Sequence, residues 1–393
     1  MPWRSVVPME EKIRFIGDYL NGVFYFIELC ERYGISRKTG YKWVDRYVEE
    51  GIKGLDERPR RPINHPLKTP EYIEKAILEV RRKHPLWGAS KILKILSRRC
   101  PEWKLPGRTT VFDILKRHGC IEKKRKTRRR SHPGKPTTLA TEPNHLWTAD
   151  FKGQFKTRNG VYCYPLTIAD AYSRYLLECK GLLSPSLKDT KKVLFTSIFK
   201  EYGLPERIRT DNGIPFASTA LGRLSQLSIW WIRLGIYPEL IEPASPQQNG
   251  RHERMHRTLK AETTRPPAHT LKDQQKQFNV FRKEFNNERP HEALGQETPT
   301  SHYNRSSRSM PKKLQQLEYP GHYEVRLVSK NAGIRWRHVR VPVSHILAGE
   351  YIGFEEIDDG IWEVYYGPIW LGRFDERIML IMDQRGRYFR RKV

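Results

Sequence analysis

The sequence predicts a multidomain chain, with all-α modules at the N-terminus, a central α/β layer domain and a small β-barrel at the C-terminus. Three observations predict it. Hydrophobic spacing is helical up to residue 119, then gives way from His145 to runs of β-branched, aromatic and aliphatic residues. Strand-like and helix-like segments alternate from there to residue 303, the order of a sheet with helices packed on it. After Tyr319 the strands are short and broken by Gly, Pro, Asn-Ala-Gly and Asp-Asp-Gly, as in small barrels. With 393 residues, 38% of them hydrophobic, several cores can be buried.

Residues 1–55 read as a helix-turn-helix domain, centred on FIELCERYGISRKTGYKWVDRY. Cys30 is small enough for two helices to touch, Gly34 permits the turn, Leu29, Ile35 and Trp43 supply a shared core, and Ser36 suits the N-cap of the second helix. Arg37, Lys38, Thr39 and Lys42 then fall near the end of that helix that enters a DNA groove. A plain helical hairpin with a solvated basic face fits the same pattern, and only the charge of the whole chain favours DNA. Residues 56–70, rich in Arg and Pro, form a basic linker. A second helical DNA-binding domain spans 71–119, with Ile73, Ile77 and Val80 at helical spacing, a Trp87-Gly88-Ala89 corner, Ile92, Leu96 and Thr109 as the cap of a last helix. Residues 120–140 are again a basic linker. Between positions 116 and 130 nine Lys or Arg face one acid, Glu122, a composition that cannot bury a core.

The central domain, 141–303, opens with three strands, HLWTADFKG, VYCYPLTIAD and SRYLLECKGL, the first two joined by the hairpin signal TRNG. A helix over 187–202 follows, with Leu194, Ile198 and Tyr202 on one stripe. The strand ERIRT then stops at Asp211-Asn212-Gly213, and an apolar helix around LSQLSIWWIRLG leads to a short strand over 238–241. The next helix starts near Gln247 or Asn249, and on it Asn249, His256, Arg257 and Lys260 share a face with Glu253. A trailing helix, FNVFRKEFNNERP, completes the domain. Residues 304–318 are a linker and 319–393 the barrel, whose basic patches RWRHVRV and RGRYFRRKV suit backbone contact without sequence preference.

A formal charge of +28, from 72 Lys and Arg against 44 Asp and Glu, calls for a polyanionic partner, and DNA is the first candidate. No apolar run approaches the roughly 20 residues of a membrane span, so no membrane partner is expected. The N-terminal residues show no apolar secretion core, and five scattered cysteines without C-x-x-C spacing argue against a disulfide framework. A reduced, cytoplasmic setting is the expectation.

Asp150, Asp211 and Glu253 stand within a strand, at a strand end and on a helix of one domain. Such hard oxygen ligands suit Mg²⁺ or Mn²⁺, which leave positions open for water and phosphate. A pair of such ions can activate a water or a 3′-hydroxyl and stabilise the leaving oxygen of a phosphodiester. With 44 acids in the chain, however, many triples are available, and spacing alone does not select one.

The blocks HLWTADFKG, RTDNG and SPQQNGRHERMHRTLK, in that order, resemble the three catalytic blocks of the DDE transposases, insertion-sequence enzymes of the retroviral-integrase superfamily. DAYSRY and NNERPHEALGQETPTSHY match phrases of the same family, and the resemblance extends from Met9 to Tyr303. It implies a ribonuclease-H-like core, with Asp150, Asp211 and Glu253 as catalytic residues and metal ligands. It also implies Mg²⁺ or Mn²⁺ as cofactor, and element ends and target DNA as partners. The chain departs from the family in the 42 residues separating Asp211 from Glu253, longer than usual, with the difference placed around Trp230-Trp231. Of the rival acids Asp170, Asp189 and Glu262, Asp170 is the closest competitor, read as a structural partner of Arg174. His252 and His256 flank the site and are expected to touch DNA, as are Asn249, Arg257 and Lys260. Because paired element ends must be brought together, a homo-oligomer on DNA is expected. The rival reading is a catalytically inactive DNA-binding regulator with an integrase-like fold. An intact acidic triad speaks against it, since a protein that only binds gains nothing from like charges held near a phosphate.

Overall fold

The computed structural model describes residues 8–58, 68–121, 138–187, 190, 195–242, 246–314, 316–384 and 386–388. It divides into two compact units, 1–70 and 71–393.

The first unit holds α1 (Pro8–Asn21), α2 (Phe26–Arg32) and α3 (Arg37–Glu50), closed by a 3₁₀ turn. Phe15, Ile16, Leu29, Cys30, Trp43, Val44 and Leu55 form its core, with Ile35 packed at the edge. Ser36 caps α3 by accepting the Thr39 N–H at 3.3 Å, and Gly34 turns the chain at φ +62°. At the crossing of α2 and α3 a Cβ on Gly40 would meet Cys30 Sγ at 2.8 Å. The small residue of one helix is thus matched by the glycine of the other.

The second unit begins with α4 (Glu71–Lys83), α5 (Ala89–Arg99) and α6 (Arg108–Arg117) around Ile73, Ile77, Val80, Trp87, Ile92, Leu96 and Val111. Thr109 is not the cap of α6. The helix starts one residue before it, from Gly107, and no side chain caps it. This three-helix module meets the central domain through polar contacts: His84 Nδ1 lies 2.7 Å from Glu284, while Lys94 and Arg98 reach Glu297 at 2.6 and 2.5 Å.

The central sheet consists of β1 (Leu146–Phe151), β2 (Phe155–Lys156), β3 (Tyr162–Asp170), β4 (Leu176–Leu182), β5 (Arg207–Thr210) and β6 (Tyr237–Leu240). β3 pairs antiparallel with β1, β2 and β4, whereas β5 runs parallel to β1 and β6 parallel to β5. Side chains alternate between the two faces of a strand. Trp147 and Ala149 therefore enter the apolar cluster made with α7 (Thr196–Tyr202) and α8 (Gln226–Arg233). Thr148 and Asp150 point to the other face, covered by α9 (Gly250–Thr263) and α10 (Leu271–Asn287), where Met255, Leu259, Phe278, Phe281 and Phe285 pack on Cys163, Leu176 and Cys179. Of the stripe expected over 187–202, Ile198 and Tyr202 are buried, while Leu194 lies outside the described residues, as does Asp189.

Residues 304–310, part of the linker expected over 304–318, lie along the central domain. Arg308 donates to the carbonyls of Pro205 and Gly235 at 2.7 and 2.6 Å, and Ser306 N donates to Tyr202 O at 2.9 Å. The C-terminal part contains β7 (Glu324–Leu327), β8 (Gly333–Trp336), β9 (Val339–Pro342), β10 (Tyr351–Asp358), β11 (Ile361–Tyr366), β12 (Ile369–Asp375) and β13 (Leu380–Asp383). Among the described residues no pairing closes a barrel: the five-stranded antiparallel sheet runs β13-β12-β11-β10-β7, and β8-β9 is a separate ribbon. The ribbon packs on the sheet through Ile334, Trp336 and Val341, and Leu221, Leu224, Ile229 and Ile232 of the central domain join the same core. The segment between Asp211 and Glu253 thus provides an apolar seat for the C-terminal sheet, which closes its core with a neighbour where a barrel would close it on itself.

Candidate active site

Strand register brings the first two acids together. β1 and β5 run parallel with Ala149 opposite Thr210, so Asp150 and Asp211, the next residue on each chain, emerge side by side at the ends of neighbouring strands. Asp211 begins the turn in which Gly213 N donates to its Oδ1 at 3.1 Å. A Cβ on Gly213 would stand 3.1 Å from Asp211 Oδ2, so the glycine leaves the carboxylate room. Glu253, in the first turn of α9, is exposed.

The electrostatics record the convergence. Burial, then the charge of Asp211, then that of Glu253 push the Asp150 carboxyl up from 3.8 to about 7. Asp211 is raised as well, by burial, against the Gly213 hydrogen bond that lowers it. Asp150 therefore feels the charge of both other carboxylates, although the three acids lie 61 and 42 residues apart along the chain.

The two histidines are placed differently from expectation. His252 and His256 are buried against the sheet face and do not project toward solvent. His252 Nδ1 lies 2.8 Å from the Thr148 hydroxyl and its Nε2 2.6 Å from that of Thr167, which also meets His256 Nε2 at 2.6 Å. His256 Nδ1 faces Asp150 Oδ2 at 3.7 Å. Burial pushes His252 down to about 3 and His256 to about 2, so both rings are neutral at physiological pH. Rings so enclosed have no surface for DNA. The reason is the polar sheet face beneath α9: Thr148, Asp150 and Thr167 give the imidazoles hydrogen-bond partners, and a satisfied buried polar group is stable. Thr148, two residues before Asp150, could have been found from strand period alone.

Asn249 is also buried, its Nδ2 donating to Asp150 Oδ2 at 3.2 Å. Arg257 and Lys260 are exposed on α9 together with Glu253, and in the first unit Arg37, Lys38 and Lys42 are exposed while Thr39 is half-buried. Asp170 does not pair with Arg174. Its Oδ1 accepts Asn144 N at 2.8 Å and its Oδ2 accepts Ser173 N and Oγ at 2.7 and 2.6 Å, so it organises the turn after β3. Glu262 is held by Arg289 at 2.7 Å.

Among the described residues one donor set has the spacing to hold a cation. Asp150, His252 and His256 have ligand atoms within 4.8 Å of one another. Both nitrogens of His252 are already engaged by threonine hydroxyls, which leaves that set one short unless a buried network breaks. Asp150 and Asp211 each accept one hydrogen bond, from Asn249 Nδ2 and Gly213 N, and the ligand atoms of Asp150, Asp211 and Glu253 do not all lie within 4.8 Å of one another. Beside them the amide oxygens of Asn212 and Asn249 are buried without a hydrogen-bond partner, so hard oxygen donors predominate, as Mg²⁺ and Mn²⁺ prefer.

Parts of this chain are similar to known families and proteins. The family description "Integrase core domain" matches residues 140–246 and again 234–299, "Helix-turn-helix domain" matches 11–63 and "Homeodomain-like domain" matches 39–115. The Gag-Pol polyprotein of baboon endogenous virus (strain M7) is 31% identical over 142 residues, 36% of this chain and 8% of the polyprotein. The Pol polyprotein of feline endogenous virus ECE1 is 32% identical over 137 residues, 35% of this chain and 12% of that one. The chain thus spans about a tenth of the length of these relatives. The HTLV-2 integrase catalytic core domain, solved in complex with magnesium, covers 42% of this chain and 100% of its own, at 18% identity and a TM-score of 0.34.

Proposed function

We propose that this chain, which belongs to the integrase superfamily, is a DNA transposase that binds the ends of its own insertion sequence, hydrolyses a phosphodiester there and joins the freed 3′-hydroxyl to target DNA. The single observation behind this reading is the convergence of Asp150, Asp211 and Glu253 at the mouth of the sheet. Water attacks phosphorus at the element end and the 3′-oxygen departs; that hydroxyl then attacks a target phosphodiester and displaces a target 3′-oxygen. Asp150, Asp211 and Glu253 are the residues that would hold Mg²⁺ or Mn²⁺. When bound, the ion supplies Lewis-acid stabilisation of the attacking and leaving oxygens.

The remaining roles belong to the chain. Asn249 holds one oxygen of Asp150 and so fixes the carboxylate in place. His252, Thr167 and His256 brace the floor under α9, keeping Glu253 over the strand ends. Arg257 and Lys260 share the exposed side of α9 with Glu253 and would draw backbone phosphates toward it, while Arg37, Lys38, Thr39 and Lys42 would read the element end. Cutting and joining paired ends calls for an oligomer on DNA in the cytoplasm of a prokaryote. Among the described residues no helix is long and apolar enough to cross a membrane.

The deciding experiment measures strand nicking of end-containing oligonucleotides with Mg²⁺, with Mn²⁺ and with chelator, beside a gel-shift titration. Wild-type protein should cut only with metal, and Glu253→Gln should bind but not cut. Protein that folds and binds the ends yet cuts with neither metal is a regulator. Cutting by Glu253→Gln would remove Glu253 from the triad.

A further inference from the structure

The motif DAYSRY, absorbed neither by the carboxylate cluster nor by the helical modules, ends in an arginine whose placement is unusual. Arg174 adopts φ +66°, the left-handed region that disfavours any residue with a Cβ. It is half-buried, and its Nη1 donates to Ala171 O at 2.9 Å. Arg251 Nη1 reaches the same carbonyl oxygen at 3.4 Å, so two guanidinium groups converge on one acceptor. Arg254 adds a third charge from the next turn of α9. Burial and then the charges of Arg251 and Arg254 hold the Arg174 guanidinium down at about 10.

Among the described residues no carboxylate lies within ion-pair distance of any of these three arginines. Asp170, the acid nearest in sequence, has its oxygens taken by Asn144 and Ser173. Three crowded like charges, offset in part at Arg174 by the more distant charge of Asp170 and one of them on a strained backbone, are unfavourable in the free protein and become favourable once an anion sits among them. Guanidinium groups present forked donors that match the oxygens of a phosphate.

We propose that Arg174, Arg251 and Arg254 form a binding site for phosphate groups of a nucleic-acid backbone, separate from the carboxylate cluster. This rests on the reading of the chain as a DNA transposase and adds to it a second point at which the core grips the strand. A polymer suits the site better than a free anion. Arg251 and Arg254 are exposed, so a strand can reach both.

The test titrates the full chain with a short end-containing duplex at several KCl concentrations. The steepness of log Kd against log[KCl] falls by about one for each phosphate that is no longer neutralised. Arg251→Gln and Arg254→Gln should each show that decrease and bind several-fold more weakly at low salt. Arg174→Gly removes the guanidinium while relieving the left-handed strain, and should show the same decrease without lowering the thermal midpoint of the DNA-free protein. Unchanged steepness and affinity in all three variants overturn the site alone, and wild-type protein that binds no duplex overturns the transposase reading and this site with it. A lower midpoint for Arg174→Gly means the guanidinium holds the turn, which also overturns the proposal. So does a thermal upshift by inorganic phosphate equal to that by duplex at the same phosphate concentration.

Discussion

Asn249 precedes α9 as its N-cap, yet its side chain caps nothing and turns instead to Asp150, donating from Nδ2 to Oδ2 at 3.2 Å. A helix end is thereby tied to a strand end at the point where the carboxylates meet. Asn249→Ala cuts that tie and leaves the three acids in place. Nicking at fixed Mg²⁺ should fall roughly 10- to 100-fold, the usual cost of removing a group that orients a metal ligand. A Mg²⁺ titration should recover part of the loss, and duplex affinity should hold. Equal activity at all Mg²⁺ concentrations would mean that Asp150 needs no such partner.

Asp150 links the site to stability. Its carboxyl rises from 3.8 to about 7 on folding, so between those values the folded chain binds more protons than the unfolded one. Its favourable contribution is complete below the unfolded value and is lost as pH rises through the folded one. In chelator, the thermal midpoint of wild type relative to Asp150→Asn should therefore drop between about pH 4 and about pH 7. Mg²⁺ or Mn²⁺ should raise the wild-type midpoint at the higher pH and leave that of Asp150→Asn nearly unmoved. A wild-type curve parallel to that of the variant would show that the three acids are not close.

Asp170 has a different task. Asp170→Ala strands the backbone N–H groups of Asn144 and Ser173, both in buried residues, at a cost of about 2–4 kcal/mol by ordinary hydrogen-bond energetics. Denaturant unfolding should register that loss, while protein that remains folded still cuts DNA. Abolished cutting in a fully stable Asp170→Ala protein would make this acid part of the chemistry.

In the first unit, Gly40→Ala places a Cβ at 2.8 Å from Cys30 Sγ and 3.0 Å from Phe26 Cζ. Such overpacking should destabilise the helix-turn-helix by about 1–3 kcal/mol. Because α3 carries Arg37, Lys38 and Lys42, preference for terminal over random DNA should weaken in the same variant, read by competitive gel shift at matched salt. Unchanged stability and preference would mean that α2 and α3 can part without consequence for binding.

Much of this protein was determined by sequence alone, because the signals involved are local. Ser36 before a helical run, Gly34 at the turn and strand-period alternation through Trp147, Thr148, Ala149 and Asp150 each act within a few residues. Helices, strands and the position of each acid on its element were legible from them. The relation of the acids to one another was not. That Asp150 and Asp211 stand side by side follows from the parallel register of β1 on β5, and register is set by the burial of both sheet faces together.

Tertiary structure also decided the fate of polar residues that the helical wheel assigns to solvent. His252, His256 and Asn249 are polar and sit on a polar helix, so exposure was the natural reading. They are buried because the sheet face beneath them presents hydroxyls and a carboxylate, a partnership made across 85 residues of chain between Thr167 and His252. The C-terminal strands followed the same rule. Their pattern suggested a barrel complete in itself, but Leu221, Leu224, Ile229 and Ile232 fill part of its core, and burial against a neighbour replaces closure. A residue's type states what it needs, an apolar contact, a hydrogen bond or a counter-charge; which distant residue meets the need depends on packing, and only the folded chain determines that.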